Sequence, residues 1–294
     1  MMIQMESEVS KYPNLNLIIS EAHNDTQTQI RQIRDFIDRK VDLLIISPNE
    51  SEPITPIAVE AYRKGIPTII WDRKIQSDEY TAYIGADNYA IGRSVGNYIR
   101  AHFPAGSTIL EIQGLRGSSP AQERHKGFAD VVDGDYRVRS IVGDWLPAVA
   151  KSKVGDILDL SGIDLVFAHN DDMALAAYEA IRERSPKDAK RIRFIGVDAI
   201  VGVDAVIDGR LEASFLYPPG GEYVIGEAMR ILGGVQVEKN HTLPSSIVDT
   251  TNAETIKAQS DQMLDYQNHI NTQKKELDQL NAGYRSVRSG LILM

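Results

Sequence analysis

The sequence predicts an α/β protein made of two doubly wound parallel-sheet lobes with a hinge, followed by a long C-terminal helix. Three observations carry this. Short apolar runs, of the kind that make strands buried on both faces, alternate with helical periodicities almost without interruption as far as Asp249. The alternation restarts near Thr108, which gives two series of βα units and a cleft between two similar lobes. From Glu254 onward the period changes to seven.

In chain order, residues 1–12 read as a helix with Met1, Met2, Met5 and Val9 as its apolar stripe. Leu15 to Ile19 reads as a strand. Asp25 or Thr26 caps a helix carrying Ile30, Ile33 and Ile37. Asp42 to Ser47 is a strand, and a helix from about Pro53 stops at Gly65. The strand Thr68 to Trp71 ends in Asp72-Arg73, and a short strand from Ala82 to Ile84 leads to a helix from Asn88 to about His102. The second series opens with a strand from Thr108 to Ile112, then a glycine- and serine-rich turn and a helix through Phe128. Tyr136 to Val142 is a strand ending at Gly143-Asp144-Trp145, and a helix spans roughly Ala148 to Leu160. Strands follow at Leu165 to Ala168, Arg193 to Val197 and Leu211 to Leu216, the last ending in Tyr217-Pro218-Pro219. A helix covers about Glu222 to Leu232, and Ser246 to Asp249 is a last extended piece.

These boundaries assign 1–86 and 218–245 to an N-terminal lobe, 87–217 and 246–253 to a C-terminal lobe, and 254–294 to a coiled-coil or juxtamembrane helix. A doubly wound lobe normally opens with a strand lying centrally in its sheet, whereas this chain opens inside a helix. The natural polypeptide is therefore expected to extend upstream of Met1 with a strand, a ligand-contacting loop and an export signal.

Composition narrows the function. The 294 residues suffice for two lobes, and 43% apolar with 25% charged residues is the balance of a soluble globular protein. A net charge of −9, no basic run and few aromatics argue against nucleic acid as a partner. The chain has no cysteine, hence no disulfide framework and no thiolate nucleophile or ligand. No stretch reads as a signal peptide, and no apolar run reaches membrane-spanning length.

The organising stretch is Asp164 to Ile181, a buried strand running into a helix marked by Met173, Ala177 and Ile181. Asp171 or Asp172 is expected to cap that helix, because a carboxylate accepts the free N–H groups of the first turn. Asn170 is then left at the carboxyl end of a parallel strand, where open α/β sheets hold ligands, though it also reads as a turn residue. Asp72, Arg73, Arg124, Trp145, Asn170, Asp198 and Tyr217 all lie at strand ends or in the first turn after one. Asp and Arg bind hydroxyls through charge-assisted hydrogen bonds, and Trp and Tyr offer flat apolar faces to the C–H side of a sugar ring. Taken singly, Arg73 fits a surface ion pair, Trp145 a core position and Asp198 a helix cap.

Enzyme readings find no support. G-x-G-x-x-G, the phosphate-binding G-x-x-x-x-G-K-[ST] and the G-x-S-x-G elbow are all absent. His169 with Asp171 and Asp172 lacks a spaced partner motif for a metal. His125 reads as a solvated helix residue. No catalytic residue, metal or cofactor is expected.

At these residues the sequence resembles the ribose-binding protein family of type I periplasmic binding proteins, over about residues 1–250. The runs that carry the resemblance are Ile70-Trp71-Asp72-Arg73, GADNYAIGRSVGNYI (85–99), GLRGSSPAQERHKGF (114–128), VFAHNDDMALAAYEAI (166–181) and FIGVDA (194–199). The resemblance implies that Asp72 and Arg73 bind ring hydroxyls and that Arg124 is the arginine of the Arg-Glu-Arg-x-x-Gly-Phe stretch, with Gln122 replacing its first arginine. It implies that Asn170 and Asp198 are sugar contacts, with His169 in place of a glutamine. Trp145 stands where the family stacks a phenylalanine, and Tyr217 where a glutamine is usual.

In the tail, Ile256, Met263, Ile270, Leu277, Tyr284 and Leu291 recur every seventh residue, with Tyr266, Leu280, Val287 and Met294 three residues later in frame and Gln259 and Gln273 breaking it. The alternative is an amphipathic helix folded back on the body. Gly290 to Met294 reads as the beginning of a membrane span. This tail resembles the link of hybrid histidine kinase sensors that use the same fold outside the membrane, notably the fructose-responsive kind of gut anaerobes.

The resemblance implies an extracytoplasmic (periplasmic) sensor domain of an inner-membrane protein. It would bind a small-molecule sugar, a pentose or hexose such as ribose or fructose, and signal through a homodimer of C-terminal helices to a membrane-attached histidine kinase module. The alternatives are an ABC-transporter sugar-binding protein, which needs no coiled coil, and the effector domain of a LacI-type repressor, which needs an upstream helix-turn-helix.

Overall fold

In the computed structural model, residues 2–157, 159–218 and 220–290 are described, with side chains for all of these except 2–4, 6, 267, 271, 274, 278 and 281–290. The chain begins with α1 (Met2–Val9) and, after an irregular segment, α2 (Thr26–Asp38), whose N-cap Asp25 accepts a hydrogen bond from the Thr28 N–H. The first series continues with β1 (Leu44–Ile46), α3 (Ser51–Arg63), β2 (Thr68–Trp71) and β3 (Ala82–Ala86). The second comprises α4 (Asn88–His102), β4 (Thr108–Gln113), α5 (Ser119–Val132), β5 (Arg137–Val142), α6 (Pro147–Gly155), β6 (Leu165–Ala168), α7 (Asp171–Arg184), α8 (Pro186–Arg191), β7 (Arg193–Ile195), α9 (Gly202–Ile207) and β8 (Ala213–Phe215). Then come α10 (Gly221–Leu232), β9 (Asn240–Leu243), β10 (Ile247–Asp249) and α11 (Ala253–Gly290).

These strands form two sheets. One has the order β1-β2-β3-β9 and is parallel throughout; the other has the order β10-β8-β7-β6-β4-β5 and is parallel except for β10. The chain crosses between them after β3, after β8 and between β9 and β10. Both faces of each sheet are covered, so β2, β3 and β6 are buried at every residue, as their unbroken apolar runs require. Ile54, Ile57 and Ile70 belong to one core of the first sheet, and Ile69, Trp71 and Ile84 to the other. In the second, Leu110, Val166 and Met173 pack on one face, and Ile109, Phe128 and Phe167 on the other.

Helices α4 and α5 pack backbone against backbone. A Cβ at Gly92 would lie 2.2 Å from the Arg124 carbonyl oxygen, and one at Gly127 would lie 2.1 Å from that of Tyr89. The absence of side chains there lets α4 press on the turn of α5 that carries Arg124.

Four features depart from the sequence reading. Leu15 to Ile19 joins no ladder, although Leu15 and Leu17 pack partly buried against the first lobe; Ile18 and Ile19 are 44% and 41% exposed. A strand exists only by pairing, and the alternation there finds no partner edge. Strand β9 was not expected, because Asn240–Leu243 is polar and only half-buried, yet it pairs with β3 from Tyr83↔Asn240 to Ala86↔Leu243. The short helices α8 and α9 were also unforeseen; at six residues each they span too few turns to show a period.

The tail is one helix. Ala253 is buried, Ile256 packs on the second lobe, and Lys257 pairs with Asp204 of α9 at 2.7 Å. Beyond this point Met263, Leu264, Tyr266, Ile270, Leu277 and Leu280 are 50–61% exposed, so the body does not cover the predicted seam. The side chains of Tyr284 and Val287, together with Leu291 and Met294, lie outside the described residues, as do Pro219 and the side chains of Met1 and Met2. Among the described residues no helix is long and apolar enough to cross a membrane.

Candidate functional site

In parallel sheets every strand presents its carboxyl end on the same side, and the two sheets point those ends at one cleft. Asp72 and Arg73 follow β2 from the first lobe. Arg124 stands on α5, Trp145 follows β5, Asn170 follows β6, Asp198 follows β7, and Tyr217 follows β8.

The structure brings these residues into one connected set. The Tyr217 hydroxyl donates to Asp72 Oδ1 at 2.6 Å. The Arg124 guanidinium lies 4.7 Å from the centre of the Tyr217 ring and 5.5 Å from that of Trp145. Arg73 approaches the same indole from the first lobe, at 5.8 Å, and its Nη1 donates to the Asn49 carbonyl at 2.8 Å. The Tyr217 backbone N–H donates to the Asp198 carbonyl at 3.2 Å. Arg124 is 3% exposed; its Nε donates to Asn88 Oδ1 at 2.9 Å and its Nη1 donates to the His169 carbonyl, which adjoins Asn170.

Asp72, Trp145 and Asp198 have φ of 66°, 66° and 117°, a region that non-glycine residues seldom occupy. Such backbone is held only where the surroundings over-determine it, and it concentrates at ligand sites. The Trp145 Nε1 is buried without a hydrogen-bond partner, with the six-membered ring of the indole packed over Gly114.

The expected cap of α7 is corrected here. Asn170 itself is the N-cap, its Oδ1 accepting from the Met173 N–H at 2.9 Å. Its extended backbone places the amide oxygen over the first turn. Asp171 turns inward instead, accepting from Ser214 Oγ at 2.6 Å and from the Gly202 N–H at 3.1 Å. Gly196 and Gly202 make room for it, since a Cβ on either would meet its carboxylate within 2.3 Å. Asp171 thereby pins the far end of the loop carrying Asp198, and its own N–H donates to the Val197 carbonyl at the near end at 2.7 Å.

Charge in the cleft is unevenly compensated. Burial pushes the Asp198 carboxyl up to about 8 against the pull of Arg124, with Asp171, Asp72 and Asp172 adding to the rise. Burial also pushes Asp171 up to about 6, although Ser214 and backbone N–H groups oppose it. The Tyr217 hydroxyl is raised well above its ordinary value by burial and by Asp72, so it stays a donor.

His169 is not in the cleft lining. It is fully buried, its Nε2 3.1 Å from Glu111 Oε1, and burial lowers its pKa. Burial alone would raise Glu111, but hydrogen bonds from His125, His169 and Ser140 hold it well below the usual carboxylate range. His125, expected to be solvated, is half-buried and bonded to Glu111 at 2.9 Å, which raises its pKa. Among the described residues no group of three or more His, Cys, Asp or Glu could hold a metal. Sequence reasoning missed Asn49 and Asn88, both buried polar residues that orient the two arginines. Asn88 had one signal, an amide directly after a strand end in Gly-Ala-Asp-Asn.

Fold and cleft together define a two-lobed binding module that holds a polar small molecule between parallel-sheet lobes. Residues 1–234 match the model of the periplasmic binding protein domain, and the chain belongs to that family. The ribose import binding protein RbsB of Bacillus subtilis (strain 168) is 31% identical over 246 residues, covering 82% of this chain and 79% of that protein. The galactofuranose-binding protein YtfQ of Escherichia coli (strain K12) is 28% identical over 257 residues, covering 83% and 79%. Among solved structures, the fructose binding periplasmic domain of hybrid two component system BT1754 is 39% identical with a TM-score of 0.85, covering 96% of this chain and 93% of that one. The binding protein of the arabinose ABC transporter from Shewanella sp. ANA-3 is 26% identical with a TM-score of 0.81, covering 91% and 92%. The chain is accordingly a non-enzymatic sugar-binding module of the ribose-binding type.

Proposed function

We propose that this chain is the extracytoplasmic sensor domain of an inner-membrane protein. It binds a monosaccharide, a pentose or hexose such as ribose or fructose, between its lobes and signals to a histidine kinase through paired C-terminal helices. Asp72, Arg73, Arg124, Asn170 and Asp198 bind the sugar hydroxyls, and Trp145 and Tyr217 face the ring. Closure of the lobes is the switch, driven by the higher affinity of the closed state for sugar.

One observation carries the choice of sensor over transporter. Helix α11 runs for 38 residues with its apolar side chains exposed from Met263 to Leu280, a surface that a second helix would cover. The similarity to the fructose-binding domain of a two-component system, at 39% identity over 96% of the chain, supports the same reading, because that coverage takes in most of α11. The similarity to a ribose import binding protein favours transport as the second reading.

A thermal-shift screen of monosaccharides tests the ligand, since a sugar bound only by the native state raises the melting temperature. A rise with D-fructose or D-ribose, confirmed by titration calorimetry, is expected. No rise with any pentose or hexose would remove the sugar assignment.

A further inference from the structure

Lys74 of the first lobe reaches the first turns of α5 in the second lobe twice. Its backbone N–H donates to Ser119 Oγ at 2.7 Å, and its Nζ lies 2.7 Å from Glu123 Oε1. Beside it the Ser51 N–H donates to the Gly117 carbonyl at 2.9 Å, and the Ser51 hydroxyl donates to the Lys74 carbonyl at 2.7 Å. None of these groups belongs to the sugar-facing set; the contacts to Ser119, Glu123 and Gly117 join one lobe to the other, and the Ser51 hydroxyl braces Lys74 within the first. We propose that the Lys74–Glu123 pair is a latch that biases the lobes toward closure and thereby sets sugar affinity from outside the pocket.

The physical basis is an asymmetry in what closure buries. Glu123 Oε2 is buried with no hydrogen-bond partner, so Lys74 supplies the compensation its carboxylate receives across the gap. A buried carboxylate oxygen whose ion-pair partner is removed is disfavoured, and the 26% side-chain exposure of Glu123 and 40% of Lys74 keep that cost moderate. Replacing Lys74 therefore penalises the closed state more than replacing Glu123 does, although both delete the same ion pair. Because Glu123 precedes Arg124 on α5, the latch also fixes the turn that presents Arg124 to the cleft. Apparent affinity scales with the population of the competent state, so a change in the closing equilibrium appears directly in the sugar Kd.

The test uses the absence of cysteine from the chain. Spin labels on Glu52→Cys in the first lobe and Arg139→Cys in the second report lobe spacing by pulsed electron resonance. In sugar-free protein, Lys74→Glu and Glu123→Lys are each expected to move the distribution to longer distances. The double variant Lys74→Glu/Glu123→Lys is expected to restore the short one, which a merely structural role would not do. The affinity half of the proposal rests on the sugar reading: the single variants should weaken D-fructose or D-ribose binding about three- to tenfold, with saturating sugar restoring the closed spacing. Identical sugar-free distributions in the parent and both single variants would overturn the latch. If neither sugar alters the spacing in any protein, the sugar reading fails, while the sugar-free comparison still decides the latch.

Discussion

Tyr217 and Asp72 stand 145 residues apart in the chain, and the tyrosine hydroxyl donates to the Asp72 carboxylate at 2.6 Å. The contact ties the segment leaving β8 of the second sheet to the end of β2 in the first. It also holds Asp72 in its left-handed backbone turn, because the same hydroxyl lies 3.2 Å from the Asp72 carbonyl oxygen. Tyr217→Phe removes this tie while keeping the ring under Arg124. We expect it to weaken sugar binding by about 1–2 kcal/mol, since a partly buried carboxylate loses its donor. Calorimetry that returns the parent affinity would show that Asp72 is held by other groups.

Arg124→Ala is expected to cost about 1.5–3 kcal/mol of sugar affinity, because it strips the Tyr217 ring of its cation, leaves Trp145 with Arg73 alone and leaves hydroxyls unpaired in the closed cleft. Asn170 needs two substitutions, since it is also a helix cap. Asn170→Ala should lose both affinity and about 1 kcal/mol of stability, whereas Asn170→Ser keeps the cap and loses affinity alone. Titration and thermal melts on the same samples separate the two roles.

Asp198 makes stability and binding pH-dependent. Its folded-state pKa is raised to about 8, above the unfolded value of about 3.9. The folded state therefore holds a proton that the unfolded chain has released, and stability from this group falls as pH rises. The contribution is complete below about pH 4 and is gone once pH has passed about 8. Asp198→Asn should flatten that slope in the melting temperature. Sugar hydroxyls that donate to the carboxylate favour its charged form, so sugar binding near pH 7 should release protons. Calorimetry in two buffers of different ionisation enthalpy measures this; equal heats would rule it out.

Glu111 is a stability residue outside the cleft. Its buried carboxylate accepts from Ser140 Oγ at 2.6 Å and lies within 3.1 Å of both His125 and His169. Glu111→Ala leaves these groups facing a cavity and should destabilise the fold by about 3–5 kcal/mol. Urea unfolding gives the value, and a loss under about 1 kcal/mol would mean that water replaces the carboxylate.

The exposed seam of α11 should pair weakly. Tyr266 in the seam, with Gln259 and Gln273 interrupting it, predicts dimerisation in the micromolar range or weaker for the soluble domain. Cysteines introduced at Ile270 and Leu277 in the membrane-attached protein should cross-link, with a pattern that sugar alters. Absence of cross-linking at both sites, with and without sugar, would return the transport reading to first place.

The sequence by itself determined the two-lobed α/β architecture and the tail helix, because apolar runs, caps and heptads are short-range patterns carried by neighbouring residues. It also placed Asp72, Trp145, Asn170, Asp198 and Tyr217 after the carboxyl ends of strands. Tertiary structure decided what those groups do there. Asn170 and Asp171 each satisfy the local rule for a cap, and only the inward space left by Gly196 and Gly202, with Ser214 waiting in it, assigns Asp171 to the interior. Asn240–Leu243 becomes a strand because β3 offers it an edge, and Leu15 to Ile19 does not because it meets none. The protonation of Asp198 follows from burial among carboxylates that are distant in sequence. Hydrogen bonding and desolvation depend on which groups the sheet registers bring together, and local periodicity carries no record of that.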